Sequence, residues 1–299
     1  MTRNEKILTR IQRSMKILEV GPSYAPVVTR AEGWDAFALD HSTQAELQQK
    51  YANEPGVDAA RIQHVDFVWR DGPLETAFPP EALGTFDACI GSHMIEHMPD
   101  LVAFFRSMER ILAPGGVVSL IVPDKRFCFD FFQPLTLTGD VLEAHRTGRT
   151  RHARSAEFNA SAYMVSAAGE ICWSQRATGL LAFRDGDLQA ARDKLMDDAN
   201  RADYRDVHGW YFTYSSFRLI MLELAEMGLL DFHEVESFPT ENCEFFITLA
   251  RGRVTREAET VRRLRMELLT NVLMEMRDQA DFLIQGPNYV GAAGGLDAG

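Results

Sequence analysis

"FDACIGSHMIEHMPDLVAFFRSMERILAPGGVVSLIVPD", residues 86–124, decides the fold. Its first six residues are apolar apart from Asp87, a short buried-strand pattern. Leu101, Phe104, Phe105, Met108, Ile111 and Leu112 then recur at intervals of three and four, one face of a helix. "APGG" (113–116) stops that helix, and "GVVSLIVPD" (116–124) is the most β-branched run in the chain, as expected of a central parallel strand covered on both faces. A strand, a helix and a second strand in this order form a right-handed βαβ unit.

The same alternation continues upstream. "KILEV" (16–20) reads as a strand ending in the turn "GPSYAP" (21–26), with a helical stretch expected from Pro26 to Ala31. "AFALD" (36–40) is the next strand. Thr43 with Glu46 three residues on makes a capping box that opens a helix over 43–51. "RIQHVDFVW" (61–69) is expected as a third strand.

Downstream of Asp124 the alternation ceases. Residues 127–207 are rich in Arg, His and aromatics and show helical stretches without a strand pattern, an insertion over the sheet's carboxyl edge. "YSSFRLIMLELAEMGLL" (214–230) is an amphipathic helix, and "DFHEVESFP" and "CEFFITLAR" form a hairpin through "TEN". The expectation is an α/β protein: a Rossmann-like, doubly wound, mostly parallel seven-stranded sheet with a C-terminal antiparallel hairpin. One domain spans 1–251, and a C-terminal helix with a flexible tail fills 252–299. In that helix Val261, Leu264, Leu268, Val272, Met276 and Ala280 form an apolar row, for packing on its own domain, on a second copy or on a partner protein.

Composition narrows the function. A net charge of -12 argues against a surface built to neutralise phosphates, so no nucleic-acid partner is expected and a small or polar acceptor is. No window has the length and apolarity of a signal peptide or a membrane span, which points to the cytoplasm. The four cysteines are far apart, without a C-x-x-C pair, and read as buried or free thiols.

In an open α/β sheet the ligand sits beyond the carboxyl ends of the strands, and an acid about 20 residues after the first glycine takes ribose hydroxyls. Asp40 stands 19 residues after Gly21, which suits a dinucleotide or S-adenosylmethionine. A pyrophosphate needs several backbone N–H groups and close-approach glycines. The turn here has one glycine and two prolines, each proline removing a donor. S-adenosylmethionine, with no phosphate, makes the smaller demand.

On these residues the chain resembles the class I S-adenosylmethionine-dependent methyltransferases. The resemblance rests on "ILEVGPS", "ALDHS", "HVDF", "FDACIGSHMIEHMPD" and "ILAPGGVVSLIVPDK". More narrowly, "GPS", "SHMIEHMPDL", "VPDKRFCFD" and "HGWYFTYSSF" resemble methyltransferases associated with bacterial cell-surface polysaccharide and glycosyltransferase genes. The resemblance implies S-adenosylmethionine as cofactor, a saccharide or nucleotide-sugar hydroxyl as acceptor, and a glycosyltransferase or a second copy as partner of the C-terminal helix. Another small metabolite with an amine or carboxylate, or a silent scaffold on the same fold, are the other readings. The departure is in the first motif, where Ser23 and Ala25 stand at the family's later glycines; a non-glycine at positive φ there costs on the order of 1 kcal/mol.

By that resemblance, Glu19 meets the methionine ammonium, Gly21 gives close backbone approach, and Ser23, His41 and Ser92 line the cofactor crevice. Asp40 takes the ribose hydroxyls, with Asp66 on the adenine amino group and Phe67 beside the ring. His97, His93 and Asp124 are the catalytic candidates, imidazole being suited to accept a proton near neutral pH. Lys125, Arg126, His208 and Tyr211 are assigned to the acceptor, and His145, Arg151, His152 and Arg154 to an anion-binding lid.

His93-Met94-Ile95-Glu96-His97 also spells H-x-x-E-H, the ligand order of a zinc-peptidase family. That motif needs an established helix. Here the string follows directly on a strand and runs into Pro99, so a strand-end turn is expected and no metal site is assigned.

Overall fold

The computed structural model describes residues 1–177, 180–197 and 205–285. In chain order the elements are α1 (Arg3–Ile7), β1 (Lys16–Val20), β2 (Asp35–Asp40), α2 (Gln44–Lys50), β3 (Phe67–Val68), β4 (Phe86–Ser92), α3 (Leu101–Ile111) and β5 (Leu112–Pro123). The insertion holds α4 (Thr138–Arg146), α5 (Arg154–Tyr163), β6 (Val165–Ala167), β7 (Leu181–Phe183) and α6 (Leu188–Met196). Then come α7 (Tyr214–Glu226), β8 (Phe232–Glu241), β9 (Glu244–Arg251) and α8 (Ala258–Gln285).

Seven strands form one sheet in the order β3-β2-β1-β4-β5-β9-β8, with β9 antiparallel to both neighbours and the remaining pairs parallel. This is the expected doubly wound sheet with its terminal hairpin. The order reverses between β1 and β4, whose carboxyl ends lie side by side, Val20 against Gly91. That junction is where an open α/β sheet offers a crevice.

One face carries the larger core: Phe105, Met108 and Ile111 of α3, Val141 and Ala144 of α4, and Phe217, Ile220 and Leu224 of α7 pack on strand residues such as Phe86, Leu120 and Phe245. The other face is covered by α1 and the segment after β1, through Ile7, Ile11, Val27 and Val28 on Ile17, Ile90, Ile121 and Phe246.

Four expectations need correction. The insertion, expected to lack strands, carries an antiparallel pair, β6 with β7. Residues 26–31 are not an α-helix; only a 3-10 turn forms, at Arg30–Glu32. Pro26 has no donor, and the N–H groups of Val27 and Val28 go to the Glu19 carboxylate instead of a helical ladder. The third strand is two residues long, because only Phe67 and Val68 reach register with Leu39 and Asp40. The cysteines are not all free: Cys172 of the insertion and Cys243 of the β8–β9 turn form a disulfide with Cα atoms 5.7 Å apart, while Cys89 and Cys128 are buried thiols. A separation of 71 residues hides such a pair from spacing arguments.

The apolar row of α8 turns inward on its own domain. Leu268 is buried and Val261, Leu264, Val272 and Met276 are half-buried where α8 lies against α7, while Ala280 is exposed. No described helix is long and apolar enough to cross a membrane.

Candidate active site

The turn after β1 holds Gly21 at φ +68° and Ser23 at φ +48°, so the serine does occupy a backbone region that glycine adopts more cheaply. Asp40, at the carboxyl end of β2, accepts from the Ser23 backbone N–H (3.0 Å) and from the His41 N–H (2.8 Å), and His41 Nδ1 lies 2.6 Å away. The Asp40 carboxylate thus shapes the turn around Gly21. Gly21 itself is exposed, and the Ser23 hydroxyl is buried with no hydrogen-bond partner. An open backbone beside an unsatisfied buried hydroxyl fits a polar ligand lying across the turn. A Cβ at Gly91 on the adjoining strand would come within 2.8 Å of the Met94 side chain, so glycine there lets the β4 rim turn tightly beside the crevice.

Several residues expected in the crevice lie elsewhere. Glu19 is buried beneath the turn, with its two oxygens accepting from Val27 N–H (2.7 Å) and Val28 N–H (3.2 Å), so it pins the returning chain. Burial pushes its pKa up to about 7 against those two donors. Asp66 precedes β3 instead of following it: one oxygen accepts from Ala38 N–H (2.8 Å) and the other from Arg30 (2.7 Å). Phe67 packs into an aromatic cluster with Phe78, at 4.3 Å between ring centroids, and with Phe37 and Phe86. Ser92 does lie at the rim, and its hydroxyl accepts from Arg3 of α1, which also pairs with Glu244.

Asp124, Lys125 and Arg126 leave β5 at the expected edge but turn inward. The Asp124 carboxylate is fully buried and accepts from Arg126 Nε (2.9 Å), Arg126 Nη2 (2.7 Å) and Thr240 (2.6 Å). Lys125 donates to the Phe131 carbonyl and to Gln279 of α8, each at 3.0 Å, and its burial lowers its pKa to about 8. Lys125 and Arg126 clamp α8 to the sheet edge, the arginine through the Glu275 carbonyl (3.3 Å). The open groove of about 690 Å³ near Arg126, Tyr214 and Glu275 holds none of the crevice residues.

Beyond β4 the chain makes the expected turn, a 3-10 segment over Ile95–His97. His93 precedes it in the left-handed region at φ +50°, its N–H given to the Ile121 carbonyl (2.9 Å). Segment 208–212 is laid against this turn by a bond from Gly209 N–H to the Glu96 carbonyl (2.9 Å), by Trp210 Nε1 to Met98, and by Lys125 N–H to Phe212 (2.8 Å). Trp210 and Phe212 are core residues. Tyr211, expected in the pocket, is buried and donates to the His208 carbonyl (3.0 Å).

The result is a cluster in which Glu96, fully buried, is faced by ring nitrogens of His93, His97 and His208 at 3.7–3.9 Å. Each imidazole bonds a carboxylate through its other nitrogen: His93 to Glu244 (2.8 Å), His97 to Asp206 (2.9 Å) and His208 to Asp130 (2.5 Å). Burial pulls the His208 pKa down and Asp130 more than reverses it, so it ends raised; the bond from His97 lowers Asp206 to about 2. Asp130, Asp206, Glu244 and Arg3 are absent from the sequence reading. Asp206 stands two residues before His208, but nothing in the spacing directs it to His97. In the insertion His145 bonds Asp100, the N-cap of α3, and Arg154 bonds the carbonyls of Leu195 in α6 and of Asp197 just after it, while His152 is buried beside Gly209, its pKa lowered to about 4 by that burial.

No curated protein matches the sequence. Similar solved structures include a putative zinc-dependent alcohol dehydrogenase from Rhodobacter sphaeroides (TM-score 0.44, 13% identity, covering 83% of this chain and 89% of that one). An S-adenosylmethionine-dependent methyltransferase from Mesorhizobium loti has TM-score 0.41 and 12% identity, covering 83% and 98%. The Burkholderia thailandensis 1,6-didemethyltoxoflavin-N1-methyltransferase has TM-score 0.40 and 12% identity, covering 84% and 76%. The family model described as "Methyltransferase domain" matches residues 2–223, most of the chain. With that match and a doubly wound sheet whose rim carries an open glycine turn beside Asp40, the chain belongs to the methyltransferase domain family and is an S-adenosylmethionine-dependent methyltransferase.

Proposed function

We propose that the enzyme O-methylates a hydroxyl of a saccharide acceptor, of the kind built into surface polysaccharide, with Gly21, Ser23, Asp40, His41 and Ser92 as the cofactor's contacts. The bound cofactor supplies an electrophilic methyl group. The chain's residues supply alignment and the removal of a proton, since a hydroxyl is a poor nucleophile while protonated and an amine needs less help.

The observation that carries this reading is the imidazole cluster past β4. His93 and His97 keep side-chain exposures of 35% and 24% at the rim, one strand over from Gly21, and each is oriented by a carboxylate. That arrangement suits an acceptor that must lose a proton. Lys125 and Arg126, the candidates for holding a phosphate or carboxylate, are buried and engaged by Gln279 and Asp124, which favours a neutral saccharide over a nucleotide-linked or acidic one.

Two measurements test it. Calorimetry is expected to give one S-adenosylmethionine per chain and no heat with NAD. A panel of saccharides, nucleotide-sugars, amines and carboxylates with methyl-labelled cofactor is expected to transfer label to a saccharide oxygen; transfer to nitrogen or to a carboxylate overturns the acceptor class.

A further inference from the structure

The turn His93–His97 lacks the helix of a zinc peptidase, yet folding gathers its three polar side chains around one point and adds His208 from beyond the insertion. Glu96 Oε1 lies 3.9 Å from His93 Nδ1, 3.9 Å from His97 Nε2 and 3.7 Å from His208 Nε2. The donor atoms of Glu96, His97 and His208 all fall within 4.8 Å of one another. Glu96 is completely buried, and neither of its oxygens has a hydrogen-bond partner. A carboxylate in that state is strongly unfavourable unless a positive group meets it.

The surroundings define what that group is. Glu244, Asp206 and Asp130 each face one ring nitrogen of His93, His97 and His208, so in the neutral form of each ring, the form that binds a metal, the nitrogen turned toward Glu96 is an electron-pair donor. Separations of 3.7–3.9 Å are too long for imidazole N–H groups to hydrogen-bond Glu96. With bonds of about 2.0–2.1 Å, tetrahedral ligands stand roughly 3.4 Å apart, so the donor atoms of Glu96, His97 and His208, within 4.8 Å of one another, need only draw inward around an ion. A carboxylate holding the far nitrogen of each histidine is also the usual outer shell of a metal centre.

We propose that Glu96, His97 and His208 bind one divalent first-row transition ion with one position left open, Zn²⁺ being the best match to two imidazoles and a carboxylate. The hard, oxygen-seeking Mg²⁺ is a poor match. The site stands on these side chains alone and does not depend on the acceptor class proposed above. If that class also holds, an ion at the rim lowers the pKa of a hydroxyl bound to it, a role that does rest on that reading.

The test uses the full chain, without a polyhistidine tag, stripped by chelator and titrated with ZnCl₂, MnCl₂ and MgCl₂ in a calorimeter. One Zn²⁺ per chain is expected, with no stoichiometric Mg²⁺, and Co²⁺ in place of Zn²⁺ is expected to give the visible d–d bands of nitrogen and oxygen ligation. Glu96→Gln and His208→Ala are expected to weaken Zn²⁺ at least tenfold, and Asp130→Asn by roughly 10- to 100-fold through the outer shell. Absence of stoichiometric Zn²⁺ and Mn²⁺ binding by wild-type chain that still binds S-adenosylmethionine overturns the proposal, whatever the variants do. So does Zn²⁺ binding that folded Glu96→Gln and His208→Ala proteins retain unchanged.

Discussion

Glu19 shows how a residue legible in position can carry a structural task that the sequence does not display. The acid two residues before the first glycine was to face the cofactor; in the fold it lies under the turn, spending its oxygens on Val27 and Val28. Its pKa of about 7, raised from 4.5 by burial, makes it a pH-dependent element of stability. The native state holds the proton more tightly than the unfolded chain, so Glu19 costs nothing below about pH 4.5, and stability falls as pH rises through 7. The full difference is roughly 3 kcal/mol, at about 1.4 kcal/mol per pKa unit. Thermal melts are expected to decline between pH 5 and 8, and Glu19→Gln to flatten that decline; an unchanged slope in the variant assigns the effect to another group. Gly21 and Asp40 were readable because strand ends fix them. The inward turn of Asp124, Lys125 and Arg126 was not, since it depends on Gln279 and Thr240, far away in sequence.

At the scale of elements, the strands and helices with a strong period were legible, and the short or irregular ones were not. α3 and β5 announce themselves by apolar spacing, whereas the segment after β1 breaks its own helix by giving two backbone donors to a side chain. The insertion is the least readable part because its order comes from tertiary ties. Cys172–Cys243 is one of them, joining the insertion to the β8–β9 turn beside Phe131 and Trp173. Closing a loop of 71 residues stabilises by about 4 kcal/mol in the chain-entropy account. Cys172→Ser, or reductant on the wild type, is therefore expected to lower the melting temperature by several degrees. Reductant is expected to have no further effect on Cys172→Ser, and a melt insensitive to reductant in oxidised wild type contradicts the stabilising role.

For the whole molecule the question is whether α8 is an appendage or part of the enzyme's frame. The sequence marked it as a separate C-terminal helix, with packing on its own domain or on a partner both open. Its contacts tie it to three places at once. Leu268 and its neighbours lie on α7, Glu275 caps Ser215 at the start of α7 (2.8 Å from its hydroxyl), and Gln279 holds Lys125 and the Phe131 carbonyl at the end of β5. The ties run toward the segment that delivers His208 to Glu96, because Lys125 and Phe212 are bonded through their backbones. Removing residues 258–299 would expose the apolar face of α7 and leave Lys125 with one of its two partners. Burial of Leu268 alone is worth about 2 kcal/mol, so a chain ending at 257 is expected to lose at least about 3 kcal/mol in urea unfolding. Gln279→Ala in the full chain, which cuts the ties at Lys125 and at the Phe131 carbonyl, should loosen the 208–212 segment, read as faster amide exchange at Gly209 and Tyr211. If truncation leaves the urea midpoint in place and Gln279→Ala leaves those amides protected, α8 is cargo carried by the domain and not a brace for its site.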